Sequence, residues 1–268
     1  GTGHPLPMNA DRARQSIIEI FDAYRHDLLI RGAPGSGKTY LLVELAQALL
    51  TRAAEEPEAA IPVIFNLAFW DERPGSLQAW IQRELQLRYQ VPARLAQRWL
   101  EQGMILPLLD GFDEIQPANY LACIEAIRRF RSEHWLGGMV ISCRNGEAEN
   151  LEELLAICGV VQILPLEPVL IDEVIVRSQA SAPLQRLFQS DPSWYDLART
   201  PLALNLLNGA LRRARSDQQI LLDLHTQDQL FGAYLRAMLE RSGGQGFALA
   251  DRQQRWLAWL AAMMVQHN

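Results

Sequence analysis

The chain has 268 residues, 49% of them hydrophobic and 21% charged, with a formal net charge of -6. That is the profile of a globular protein with room for one large core and a second module, and it argues against a disordered chain. The acidic balance argues equally against a nucleic-acid or membrane-surface binder, both of which need a basic footprint. Two short arginine runs (Arg128, Arg129, Arg131 and Arg212, Arg213, Arg215) fall on predicted helices and read as solvated faces. The three cysteines, Cys123, Cys143 and Cys158, form no CxxC and read as buried free thiols of a reducing compartment. No signal peptide is visible, and the apolar run Trp256–Val265 is too short to span a bilayer, so a cytoplasmic location is expected.

Along the chain, residues 1–10 read as a linker. From Asp11 to Tyr24 the apolar positions Ile17, Ile20, Phe21 and Tyr24 follow helical spacing. "DLLIRG" (27–32) is a short apolar run that suits a buried parallel strand, and a helix is expected from Lys38 to about Ala54. The alternation then repeats. Strands are predicted at "IPVIFNL" (61–67), "MILPLLD" (104–110), "GMVISC" (138–143) and "VVQILPL" (160–166). Between them come helices at Ser76–Tyr89, with Ser76 as N-cap, at Pro117–Arg131 and at Glu147–Cys158.

Five strand–helix alternations imply an α/β fold: a parallel five-stranded sheet with helices on both faces. Pro107 is awkward in a strand that must be central, because it has no ladder donor. Beyond Leu166 only helical segments follow, near 170–180, 183–189, 194–199, 201–214, 219–241 and 251–267. The expected domains are therefore a core over 11–165 and an all-helical module over 166–268. The closing "QQRWLAWLAAMMVQHN" reads as an apolar helix in want of a partner surface, which suggests a piece of a longer protein. Trp70, Trp80, Trp99 and Trp194, among seven tryptophans, read as core or interface.

Gly32, Ala33, Pro34, Gly35, Ser36, Gly37, Lys38 and Thr39 spell G-x-x-x-x-G-K-[ST], the Walker A P-loop, between a predicted strand and a predicted helix. Successive backbone N–H groups in such a loop wrap an anion, and the helix that follows turns its positive end toward it. Lys38 is the candidate for the terminal phosphates and Thr39 for a magnesium ion, with Tyr40 next in the nucleotide-binding segment. Asp110 closes the "MILPLLD" strand and is the candidate to hold magnesium through water, as in a Walker B motif. Asp113 or Glu114 is then placed to orient and deprotonate the attacking water, and spacing alone does not choose between them. No guanine-reading N-K-x-D or T-K-x-D is present; His225-Thr226-Gln227-Asp228 lacks the lysine and the spacing, so adenine is favoured. His4, His26, His134 and His225 are scattered, and no metal other than magnesium is expected.

The P-loop, "LLDGFDE" and "ISCRNGE" (141–147) together resemble the NACHT domains of the STAND class of signalling P-loop NTPases, found in innate-immunity receptors and bacterial signalling proteins. The resemblance runs over about residues 10–265, and D-G-x-D-E is its most specific part. It implies an ASCE-type sheet in which the Arg144 strand lies between the P-loop strand and the Asp110 strand. It also implies that Arg144 senses the γ-phosphate, and that Pro201, in "LARTPLALNLL" beside Thr200 and Leu202, packs near the adenine and sugar in a helical lid. The Ile17–Phe21 segment would line the other side of the base. The family's nucleotide-contacting histidine, on a later winged-helix domain, has no match: His267 lies where that domain would only be starting.

The function implied is a bacterial, cytoplasmic signalling ATPase that binds Mg-ATP or ADP and hydrolyses ATP slowly. ADP would hold it closed, and ATP would allow self-association within a larger protein. A work-producing AAA+ type ATPase and a nucleotide-dependent scaffold without meaningful hydrolysis are the alternatives.

Overall fold

The computed structural model describes residues 16–56, 58–71, 75–133, 138–146, 151–178 and 181–213, with 229 and 232. The linker over 1–10, the helices expected at 219–241 and 251–267, and the segment holding His267 lie outside the described residues.

Five strands form one parallel sheet: β1 (Asp27–Gly32), β2 (Ile61–Asn66), β3 (Ile105–Asp110), β4 (Met139–Arg144) and β5 (Gly159–Ile163), in the spatial order β2-β3-β4-β1-β5. The strand that ends in Arg144 therefore sits between the other two motif-bearing strands. Strands this apolar form where both faces are covered, and Leu28, Leu29 and Ile30 of β1 are wholly shielded from solvent. Alternate residues feed two cores. Leu28 and Ile30 join Leu108 and Val140 under α1 (Ile17–Ala23) and α2 (Lys38–Glu55). Leu29 joins Leu109 and Ile141 in the other, with Trp80 and Leu85 of α3 (Leu77–Tyr89), Leu100 of α4 (Ala93–Glu101) and Ile127 of α5 (Tyr120–Glu133).

Local chemistry accounts for most boundaries. Ser76 accepts the Ala79 N–H and caps α3 as expected. Gln90, left-handed at φ 55°, stops α3, and Pro92 then opens α4. The second of these helices was not anticipated from its short apolar pattern, in which only Ala96 and Leu100 are fully buried. The helix expected from Pro117 begins as a tight turn over Pro117–Asn119 before α5. The helix expected over 147–158 is described only as α6 (Leu151–Leu155). Pro107 is accommodated by a short seam: β3 pairs with β2 along its whole length, but with β4 only at Leu108 and Leu109. Ile17 and Phe21 are buried in the core beneath β1, and Ile18 and Ile20 of α1 are half-buried.

The chain divides into two compact units, Gly1–Ile163 and Leu164–Asn268. The second, over its described residues, is all-helical: α7 (Pro168–Arg177), α8 (Ser181–Ser190), α9 (Ser193–Leu197) and α10 (Pro201–Arg213). Ile171, Leu184, Phe188, Trp194 and Leu204 share its core. Pro201 is the first residue of α10; Thr200 accepts the Ala203 N–H as a cap, and the Leu166 N–H donates to the Arg199 carbonyl.

Two readings of surface chemistry are corrected. Arg131 is not on a solvated face: it is buried and grips the equally buried Asp27 at the start of β1 through both guanidinium nitrogens. The same guanidinium donates to the Ala156 carbonyl at 2.8 Å, and Asp27 also accepts the Cys158 N–H at 2.9 Å. Its neighbours Arg128 and Arg129 are exposed because only one face of α5 meets the sheet. Cys158 is exposed, while Cys123 and Cys143 are buried as expected, because Cys158 sits in the bend before β5 rather than inside an element.

Removing one partner of a buried pair leaves the other charge stranded. Asp27→Ala is therefore expected to lower stability by about 3–5 kcal/mol, seen as an earlier urea midpoint. An unchanged midpoint would show that the pair carries no net stability.

Candidate functional site

Gly32, Asp110 and Arg144 are the last residues of β1, β3 and β4, so the three motifs emerge at the same carboxyl edge of the sheet. That edge is where open parallel sheets offer a crevice to ligands. Gly32 and Arg144 are paired in register.

The P-loop backbone needs its glycines for separate reasons. Gly35 and Gly37 have φ of 71° and 98°, and Gly37 is the N-cap of α2. At Gly32 an added Cβ would stand 2.3 Å from Ser36 Oγ and 3.2 Å from Ile163 Cβ. Ala33 accepts the Ser36 N–H, which closes the turn through Pro34. The Lys38 ammonium bends over the loop and donates to the Gly32 and Ala33 carbonyls at 3.0 and 3.2 Å. Ser36 is buried, yet its hydroxyl has no partner among the described residues. An orphaned hydroxyl inside a glycine-lined turn at a helix N-terminus fits a phosphate group. Tyr40 stands 74% exposed at the start of α2.

Thr39 and Asp110, the two residues expected at magnesium, are 71 positions apart in sequence and in contact: Thr39 Oγ1 donates to Asp110 Oδ2 at 2.7 Å. Thr39 gives its proton to the carboxylate and keeps its oxygen lone pairs for a cation. A hydroxyl beside a carboxylate is a suitable oxygen set for magnesium. The other carboxylate oxygen, Asp110 Oδ1, accepts from the Ser142 hydroxyl, which in turn accepts the Gly111 N–H at 2.9 Å. Ser142 did not figure among the sequence candidates. Its one signal is a hydroxyl in the middle of the apolar run "MVISC", where a buried polar group must find a partner.

The two remaining acids are separated by their surroundings. Asp113 has a side chain only 3% exposed and is fully committed to residue 144: Oδ1 accepts the Arg144 N–H at 3.0 Å and Oδ2 the Arg144 Nε at 2.7 Å. Glu114 is exposed and carries no such partner among the described residues. Partial burial raises its proton affinity above the ordinary 4.5, and the negative charges of Asp113 and Asp110 push the same way, against Arg144 and Lys38. Pro201, in the second unit, opens α10 with its side chain exposed. Among the described residues no cluster of three or more His, Cys, Asp and Glu could hold a metal ion, and no helix is long and apolar enough to cross a membrane.

The family model for the NACHT domain matches residues 26–182. No curated protein matches the chain. Among solved structures, the Orc1 protein of Aeropyrum pernix in complex with DNA is similar at a TM-score of 0.52 and 19% identity, over 88% of this chain and 66% of that one. The RuvB Holliday junction branch migration motor of Thermotoga maritima matches at a TM-score of 0.43 and 13% identity, over 92% of this chain and 82% of that one. At such identity the likeness to Orc1 is one of fold, and this chain spans just under two thirds of the Orc1 chain's length.

The turn that carries the acids depends on Gly111, which is left-handed at φ 74° with the Glu114 carboxyl carbon 3.1 Å from where a Cβ would stand. Gly111→Ala should cost about 1–2 kcal/mol for the backbone conformation alone, measured by denaturant unfolding. A variant as stable as the parent would show that the turn tolerates a side chain.

Proposed function

The chain belongs to the NACHT domain family of P-loop NTPases, and from that premise we propose that it is the ATPase module of a STAND-type signalling switch. It binds Mg-ATP or ADP and hydrolyses ATP slowly. The observation that carries the reading is the 2.7 Å contact between Thr39 of the P-loop helix and Asp110 at the end of β3, which makes one site of two motifs.

The geometry supports one assignment of roles. The backbone of Gly32 to Gly37 cradles the phosphates, with the Ser36 hydroxyl as an added donor. Lys38 exchanges its loop carbonyls for the terminal phosphates, and Tyr40 borders the nucleotide. Thr39 and Asp110 would hold magnesium, which when bound would neutralise charge on the phosphates. Glu114 takes the base role: it is uncommitted, and its raised proton affinity brings it closer to accepting a proton from water near neutral pH. Asp113 is instead a positioning residue that holds Arg144, and Arg144 stabilises charge on the transferring phosphoryl group. The arginine shares its charge with Asp113, which supports slow turnover.

Pro201 is the residue assigned to the adenine and sugar. ADP favours the resting state, and ATP favours self-association of the larger, cytoplasmic protein. A net charge of -6 supports a reading without direct nucleic-acid or membrane binding.

Two experiments test this reading. Equilibrium titration should give ATP and ADP binding well ahead of GTP, lost at least a hundredfold in Lys38→Ala; equal binding by that variant would remove the P-loop assignment. Glu114→Gln should keep ATP affinity while phosphate release falls at least a hundredfold. The parent's rate should decline on the acid side through a midpoint above 4.5, since protonated Glu114 cannot accept the water's proton. If Asp113→Asn alone stops hydrolysis with ATP still bound, the two acids have been assigned the wrong way round.

A further inference from the structure

Ser142 lies in the middle of β4 with no solvent exposure, flanked by Ile141 and Cys143. A hydroxyl there costs free energy unless it is bonded, and its bonds are specific. It accepts the Gly111 N–H, so its single proton goes to Asp110 Oδ1. Thr39 holds Oδ2 from the other side. The carboxylate plane is thereby fixed by two O–H donors on different elements, one on α2 and one on β4. Residue 144, two positions on, lies on the same face of β4 and holds Asp113 by its N–H and Nε. One face of one strand orients both acids.

Resting on the assignment of Asp110 to magnesium, we infer that Ser142 is a positioning residue for that cation: its hydroxyl sets the carboxylate so that the oxygen facing Thr39 is the one presented. A serine that merely satisfied the Gly111 N–H would leave metal affinity untouched.

ADP binding is titrated in EDTA and across Mg2+ concentrations for the parent, Ser142→Ala, Ser142→Thr and Ser142→Cys, with thermal unfolding recorded on each. Partners that orient metal ligands typically change metal affinity ten- to a hundredfold. The Mg2+ midpoint should rise by about that factor in Ser142→Ala and return toward the parent in Ser142→Thr. Ser142→Cys, close to serine in volume and with a weak donor, should fall between them and keeps the comparison readable if alanine destabilises the chain. A lowered melting temperature with the Mg2+ midpoint within about twofold of the parent, or threonine and cysteine no better than alanine, overturns the inference. Parent ADP binding that ignores Mg2+ overturns the assignment of Asp110 itself, and is visible without any variant.

Discussion

A single carboxylate at the end of β3 is held from both sides, by Thr39 on α2 and by Ser142 on β4. Those residues lie 71 and 32 positions away in sequence. The sheet order makes the meeting possible. With β4 between β1 and β3, the phosphate loop and the acidic loop are two strands apart, too far for backbone pairing. Side chains must close the distance, and a threonine at the first turn of α2 and a serine on the intervening strand do so. Gly111 supplies the turn that lets its N–H reach back to the same hydroxyl.

The charges are distributed by burial. At the carboxyl edge of the sheet, four ionisable groups of the acidic loop and β4 stand close together, and each is handled differently. Asp110 accepts hydroxyl protons, Asp113 is buried against Arg144, and Glu114 is left more exposed and reluctant to ionise. Burial, and then the negative charges of Asp113 and Asp110, raise the proton affinity of Glu114. At the opposite edge the same sheet buries a complete ion pair, Asp27 with Arg131, whose remaining hydrogen-bonding capacity goes to Ala156 and Cys158. There the two charges answer each other, while at the carboxyl edge Glu114 stands exposed.

How much of this was legible in the residues depends on the range of the interaction that decides it. The P-loop was, because the glycines answer to a backbone shape confined to a few consecutive residues. So were the five strands, whose apolar runs must be covered on both faces. Strand order was not, since periodicity says nothing about which strands pair; the resemblance in "LLDGFDE" and "ISCRNGE" placed only the Arg144 strand between the other two, and left β2 and β5 open. Ser142 and Arg131 were missed or misread for one reason. Composition gives a side chain's chemistry but not its partner, and their partners are 32 and 104 residues away. The choice between Asp113 and Glu114 was open for the same cause: adjacent residues differ only in what β4 offers one of them. The short α4 went unseen because two buried residues are too few to declare a helix.

The seam between β3 and β4 has a mechanical consequence. Elsewhere the strands are laced over five or six consecutive partners, but β3 and β4 pair only at Leu108 and Leu109. Beyond Leu109 the joint continues through side chains: Ser142 to Asp110 and Gly111, then residue 144 to Asp113. Under a load that pulls the sheet apart, the line of least resistance runs through the candidate site. Such a sheet would fail there first, parting Asp110 from Thr39 and Asp113 from Arg144.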